Sequence, residues 1–361
     1  MWGLLRRYAG AVTGRVRAAR LTAAVENIHV TGDDRALRGR LLEVIKDFVP
    51  FDAYAFLVTD PLTSVGCSPV AEVPDLRALP DLIRLKYLTP VNRWTGLPAS
   101  GCASLQQATG GRLDESLLWR EHLAALGILD VVSLVFRDRF GWWGFLDLWR
   151  RETPFTDDEV AALTAVRPEL TSRLRGVQAA GFLAGDVPAG VRGPGALILT
   201  PTLTIRAQTP QTQDWLSALV PPPSGRSPVP ASAYNVAAQL LATEAGVDDH
   251  PPQARVHLGG GAWLTLRADR LEGQGPVEDQ DIVVTMEATS SAERRDVFCR
   301  AHGLTRRETE VVRHLADGSD TRTVAHSMSI SEHTVQDHLK AVFTKTRASS
   351  RRELLAMSGG T

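Results

Sequence analysis

The 361-residue chain has three cysteines, 6% aromatic residues and no excess of charge of either sign. Cys67, Cys102 and Cys299 are far apart and odd in number. They show neither metal-ligand spacing nor a disulfide framework, which suits a reducing cytoplasm and implies no metal or cofactor. Lys and Arg number 40 against 41 Asp and Glu, a net charge of -1. That balance excludes a protein that coats nucleic acid through charge alone, but leaves room for a small local DNA-binding module. No apolar run approaches the ~18 residues of a membrane span. The opening "MWGLLRRYAGAVTGRVRAARLTAAV" is interrupted by Arg15, Arg17 and Arg20, so no signal-peptide core of ~7–15 apolar residues survives. Residues 1–24 read as a basic leader helix, solvated or packed on a partner subunit.

Catalytic signatures are also missing. "HLGGGAW" is glycine-rich but lacks the lysine and strand-to-helix setting of a P-loop. Asp33 and Asp34 read as a helix N-terminus, not as the acidic pair of a phosphoacceptor domain, because the chain does not alternate strand and helix around them. No nucleophile has a plausible base partner, so the chain is not expected to be an enzyme.

What is present divides into blocks, as the length requires. Residues 25–178 begin with the helical pattern "ALRGRLLEVIKDFV" and the strand "AYAFLVTD". A proline-containing stretch without a clear period runs to about residue 111. "LDESLLWREHLAALG" is helix-like, and "DVVSLVFRD" and "WGFLDLWR" form a hairpin. Thr156 and Glu159 make a capping box for the closing helix. Residues 190–290 read as two strands, two helices split by "PPPSGRSPVP", and three strands. Both blocks predict an α+β fold. No internal repeat is visible. Residues 294–361 have no strand pattern. From Leu304 onward they predict four short helices capped at Thr305, Asp320, Ser331 and Ser349, a small all-α domain.

Within that tail, "DTRTVAHSM", the turn "SIS" and "EHTVQDHLKAVFTKT" read as a helix-turn-helix. Val335, Leu339 and Val342 form an apolar stripe at i, i+4 and i+7. His333, Thr334, Gln336, Asp337 and Lys340 occupy the other side. Ser331 and Thr334 can donate to phosphate at the helix N-terminus, and Lys340, Lys345 and Arg351 supply positive charge. Gln suits adenine, Asp can accept from cytosine and Lys suits guanine. Arg307 and Glu308 fit intra-domain ion pairs better than DNA contacts, and His338 fits a packed structural role. A zinc site at His326, His333 and His338 is disfavoured, since no cysteine or close pairing supports it.

The stretch from Leu304 to Arg351 resembles the LuxR-type helix-turn-helix family. The landmarks include Leu304, Thr305, Glu308, Gly318, Ile330, Ser331, Thr334, Val335 and Lys345, with no insertion. The resemblance implies a transcription regulator that binds double-stranded DNA as a homodimer through its last helix. Three departures stand out: "DTRTVA" replaces the usual scaffold helix, Gln336 stands where lysine is common after Thr-Val, and Thr346 replaces a hydrophobic residue. They raise a second reading, in which a degenerate helix-turn-helix serves protein–protein contact.

The front blocks resemble sensor modules. Ala108-Thr109-Gly110-Gly111, Gly127, Trp143-Gly144, Arg150 and Phe155-Thr156 are similar to GAF-like domains of actinobacterial regulators, and residues 190–290 are similar to a PAS-type fold. Such folds imply a small-molecule ligand or a dimer contact. Tyr54, Trp94, Trp119 and Trp143 are the candidate pocket residues, although Trp143 and Phe145 also fit ordinary core on one face of a strand. "FDAYAF" resembles acyl-homoserine-lactone-binding domains, which makes a quorum sensor a further alternative, but "RLKYLTPVNRW" does not reproduce their Trp/Tyr/Asp spacing.

Overall fold

A computed structural model of the chain describes residues 2–30, 33–182, 193–219, 228–273 and 275–360, with side chains from residue 14 onward. The first unit contains helices α1 (Trp2–Glu26) and α2 (Asp34–Phe48), strands β1 (Ala53–Thr59) and β2 (Gly66–Glu72), and helix α3 (Leu79–Leu88). It continues with β3 (Cys102–Ser104), α4 (Leu105–Thr109), β4 (Asp130–Asp138), β5 (Gly141–Arg150) and α5 (Asp157–Ala180). As expected, Asp33 caps α2 by accepting from the Ala36 N–H, and both bonds of the Thr156–Glu159 capping box form.

The sheet order is β2-β1-β5-β4-β3, antiparallel throughout. Helices α1, α2 and α5 cover one face, burying Leu21, Leu41, Ile45, Leu163 and Leu170 against Phe56, Leu146 and Leu148. Leu21 and Val25 of α1 are fully buried in this core. The described part of α1 is thus integral to the first unit, which corrects the expectation of a separate leader over 1–24. The apolar spacing of Leu21 and Val25 sits inside an arginine-rich stretch, where sequence reading weighs the charge first.

Two further expectations are corrected here. The stretch read as lacking a period holds β2, α3, β3 and α4. The segment read as helix-like over 113–127 is helical only in part: a 3₁₀ turn at Leu113–Glu115, then a helical stretch over 117–123 that widens to π geometry at Trp119–Leu123.

The second unit contains β6 (Gly195–Leu199), β7 (Ile205–Gln208), α6 (Pro210–Leu219), α7 (Ala231–Glu244), β8 (Gln253–Gly259), β9 (Ala262–Arg270) and β10 (Ile282–Ala288). Most of the linker expected around "GDVPAGVRGPG" and of the break "PPPSGRSPVP" lies outside the described residues. Its sheet runs β7-β6-β10-β9-β8, again antiparallel. Numbered within each unit, both sheets have the order 2-1-5-4-3. The sequence shows no repeat, yet the topology is repeated.

The seam between the units is polar and tight. Asp60, at the end of β1, accepts from the Arg255 backbone N–H at 2.8 Å, from Nε at 2.6 Å and from Nη2 at 3.2 Å. Arg93 bonds Asp248 at 2.8 Å, with both side chains buried. Helix α7 packs on both α3 and β2.

The remaining residues form α8 (Ser291–Ala301), α9 (Arg306–Ala316), α10 (Thr321–Met328), α11 (Glu332–Thr346) and α12 (Arg351–Gly359). The four helices after Leu304 are as expected, except that Ser350, not Ser349, caps α12 by accepting from the Glu353 N–H. Ser349 bonds the Glu353 carboxylate instead. Helix α8 joins this domain to the front units. Its Arg294 donates to the Met357 carbonyl at 3.1 Å and to the Gly261 carbonyl, and its Glu293 accepts from Arg267 at 2.6 Å. Phe182, just past α5, stacks on Trp263 of β9 at 4.6 Å and meets Phe298 of α8 edge-on at 5.3 Å. Among the described residues no helix is long and apolar enough to cross a membrane.

Candidate functional site

The helix-turn-helix is built from local rules. Asp320 caps α10 by accepting from the Thr323 N–H at 2.8 Å. That helix ends at Ser329, which adopts the left-handed conformation (φ 53°) more often filled by glycine. Ile330 then bonds back to the Ala325 carbonyl, and Ser331 opens α11 by accepting from the Thr334 N–H at 3.1 Å. Val335 and Val342 are fully buried and Leu339 nearly so, anchoring α11 on α9 and α10.

The outer face of α11 is open. The side chains of His333 and Lys340 are 85% and 77% exposed, and Gln336 and Asp337 are exposed beside them. Their mutual contacts are loose. His333 lies 3.7 Å and Lys340 3.9 Å from Asp337, and Gln336 reaches Thr321 Oγ1 at 3.4 Å. Exposed pairs of this kind contribute little, so these side chains can be redirected to a ligand. Ser331 and Thr334 share a hydroxyl hydrogen bond of 2.8 Å at the helix N-terminus.

Two residues expected at the same surface are placed differently. Lys345 Nζ bonds both carboxylate oxygens of Glu308, at 2.8 and 2.6 Å. Glu308 is itself nearly buried and also accepts from the Thr305 N–H at 2.7 Å. Burial raises its pKa, but the bonds from Lys345 and Thr305 outweigh burial and hold the carboxyl below its ordinary value. Arg351 donates to the Ser319 carbonyl. Both cations are engaged inside the domain, unlike Lys340. Glu308 fits the intra-domain ion pair expected of it, and Arg307 pairs with Glu310 at 3.0 Å. His338 is half-buried, with no hydrogen bond among the described residues. His326, His333 and His338 do not gather into a metal-binding group among the described residues.

The aromatic pocket candidates also separate. A cavity of about 180 Å³ lies on the face of the first sheet opposite α1, α2 and α5. Trp94 lines it; Tyr54, Trp119 and Trp143 do not. Tyr54 alternates with Ala55 along β1 and faces away, edge-on to Phe51. Trp119 packs beside the cavity wall and donates to the Ile128 carbonyl at 2.8 Å. Trp143 is the extra residue of a β-bulge: Phe136 pairs with Gly144 and Arg137 with Trp142, skipping it. The bulge turns Trp143 into the helix-covered core, where it donates to Asp138 at 3.0 Å. Trp143 and Phe145 are both core, as the bland reading held, but on opposite faces.

Sequence reasoning missed the polar end of this cavity. Lys86, buried, donates to Asp147, to Ser133 Oγ at 3.0 Å and to the Asn92 carbonyl at 3.1 Å. Asp147 also accepts from Ser133 at 2.6 Å and from Trp94 Nε1 at 2.8 Å. Burial pulls the Lys86 pKa below the usual lysine value against the opposing pull of Asp147. Burial also pushes the thiols up, Cys102 to about 11 and Cys299 to about 12, which leaves them unreactive.

Residues 302–358 match the family model described as bacterial regulatory proteins, luxR family. The transcriptional regulatory protein FixJ of Azorhizobium caulinodans is 35% identical over 100 residues, which is 25% of this chain and 46% of FixJ. The chain thus spans less than half the length of that relative. The crystal structure of Escherichia coli SdiA superimposes with a TM-score of 0.31 at 14% identity, covering 95% of this chain and 96% of that one. SdiA in complex with octanoyl-rac-glycerol gives 0.30 at 13% identity, covering 95% and 93%. Similarity at this level carries no argument about fold or ligand. The capped scaffold helix, the turn at Ser329, the anchored α11 and the family match agree: behind two α+β units, the chain carries a DNA-binding regulator domain of the LuxR family.

Proposed function

We propose that the whole chain is a transcription regulator acting in the cytoplasm, with α11 entering the major groove of double-stranded DNA as one half of a homodimer joined through α12. The observation that carries this reading is the division of α11 between a buried stripe of Val335, Leu339 and Val342 and an open row of His333, Gln336, Asp337 and Lys340. In this reading the two front units are sensors, the first GAF-like and the second PAS-like, supported by their shared strand order. They gate DNA binding by favouring one of two arrangements of the α8 junction, which requires a ligand or partner that binds those arrangements with different affinity.

Fluorescence anisotropy of the full-length chain on genomic DNA fragments tests the proposal. The expected result is binding whose log affinity falls linearly with log salt. Absence of binding at low salt sinks it. The engagement of Lys345 and Arg351 inside the domain supports the second reading, protein–protein contact through a degenerate helix-turn-helix. A salt-insensitive self-association that Lys340→Ala leaves intact, without DNA binding, is the result expected from that alternative.

A further inference from the structure

The cavity beside Lys86 and Asp147 has a structural cause. The strand register places Ala71, Ala55, Asp147, Ser133 and Ala103 in one row across five strands. No side chain in that row is larger than aspartate, so the sheet presents a trough where neighbouring rows carry Leu57, Phe145 and Trp149. Helix α3 roofs the trough with Leu79, Leu82 and Ile83. The second unit contributes to its wall through Ala231 and Asn235 of α7. Leu76 and Val229 line it and are 59% and 40% exposed, which puts the opening at their edge.

The chemistry of the wall narrows the occupant. The Lys86 ammonium has three kinds of acceptor, and the Asp147 carboxylate is bonded by Lys86, Ser133 and Trp94. That charge pair is satisfied internally and does not call for a charged ligand. Trp149 is different. It lines the cavity, is 2% exposed, and its Nε1 has no hydrogen-bond partner among the described residues. A buried indole N–H without an acceptor costs free energy until one arrives. Apolar cavities of roughly 150 Å³ admit a benzene-sized molecule, and this one is about 180 Å³.

We infer that the cavity is a binding site shared by both α+β units for a compact, uncharged, single-ring-sized hydrophobe with one hydrogen-bond acceptor directed to Trp149. The inference rests on the sensor reading of the front units and gives that sensor a ligand class and a place to act. The occupant touches β1, β5 and α3 of the first unit and α7 of the second, so its binding free energy depends on how the units are seated. That is the differential affinity a gate requires.

The test uses the full-length protein with toluene and acetophenone as probes, which differ in a carbonyl acceptor. Calorimetry and the unfolding temperature are followed in parallel. Both probes are expected to bind one per chain and to raise the unfolding temperature, acetophenone about fivefold tighter than toluene. Trp149→Phe keeps an aromatic side chain, smaller than the indole, and removes the donor, and is expected to abolish that preference while toluene still binds. Ala55→Phe fills the trough, and Ala231→Leu intrudes from the second unit. Each is expected to abolish binding of both probes in a chain that still unfolds cooperatively. The inference is overturned if neither probe binds the native chain, or if the acetophenone preference survives Trp149→Phe. Native affinity in folded Ala231→Leu overturns the shared site. Anisotropy on DNA with the same preparation, without probe, reads DNA binding separately, so failure of the cavity is distinguishable from failure of the regulator.

Discussion

Arg255 of β8 closes on Asp60, the residue after β1, through three hydrogen bonds, with the carboxylate wholly buried between the two α+β units. Removing one partner leaves the other charge buried without its counter-charge. Asp60→Ala is expected to destabilise the chain by about 3–5 kcal/mol. Urea unfolding followed by circular dichroism measures it. A loss below about 1 kcal/mol, the range of an exposed pair, contradicts a welded seam.

The two lysines of α11 are expected to behave oppositely. Lys340 is mostly exposed, whereas Lys345 is bound to Glu308. Lys340→Ala should leave stability almost unchanged and reduce the salt slope of DNA binding by about one. Lys345→Ala should lower stability by about 1–2 kcal/mol, because Glu308 loses a charged partner, with no change in salt slope per bound domain. Paired urea and anisotropy titrations separate the two.

Ser331→Ala removes the cap of α11. The expected loss is about 1 kcal/mol of stability. DNA affinity should fall more than this, since Ser331 also stands where a phosphate would meet the helix N-terminus. Equal losses in stability and affinity would reduce Ser331 to a cap alone.

Acid should loosen the junction with the DNA-binding domain. His257 and His302 are half-buried, and each is pulled down to about 4 by partial desolvation, with Arg294 adding to the effect at His257 and Arg347 at His302. An unfolded histidine takes up its proton near pH 6.5. These two therefore contribute stability above about pH 6.5 that is lost as pH falls toward 4. The midpoint of urea unfolding should drop between pH 7 and pH 5. The double variant His257→Asn, His302→Asn should show a flatter profile; an unaltered slope would exclude the pair as its source.

The parts legible in the sequence are those whose rules are local. The α11 stripe, the caps at Asp33, Thr156, Asp320 and Ser331, and the hairpin strands β4 and β5 depend on neighbours within a few residues. Elements β2 and α3 escaped because each is short and the intervening prolines hide the period. The face of Trp143 was not legible because a single-residue bulge reverses the face of everything before it. The Lys345 partner lies 37 residues away, and the trough is defined by register across five strands. Neither can be read along the chain, since each arises only when distant segments pair.

Helix α5 spans roughly 36 Å for its 24 residues, running from the cap at Thr156 to the Phe182 stack. Three aromatic rings from α5's end, β9 and α8 interlock there. Interlocked rings do not slide by small degrees, because partial displacement forfeits contact before new contact forms. Under the proposed function, the joint between the front units and the DNA-binding domain therefore works as a latch instead of a spring. It holds one seating until the whole stack releases, and a weak, continuous signal at the front of the molecule would emerge at the DNA as a step.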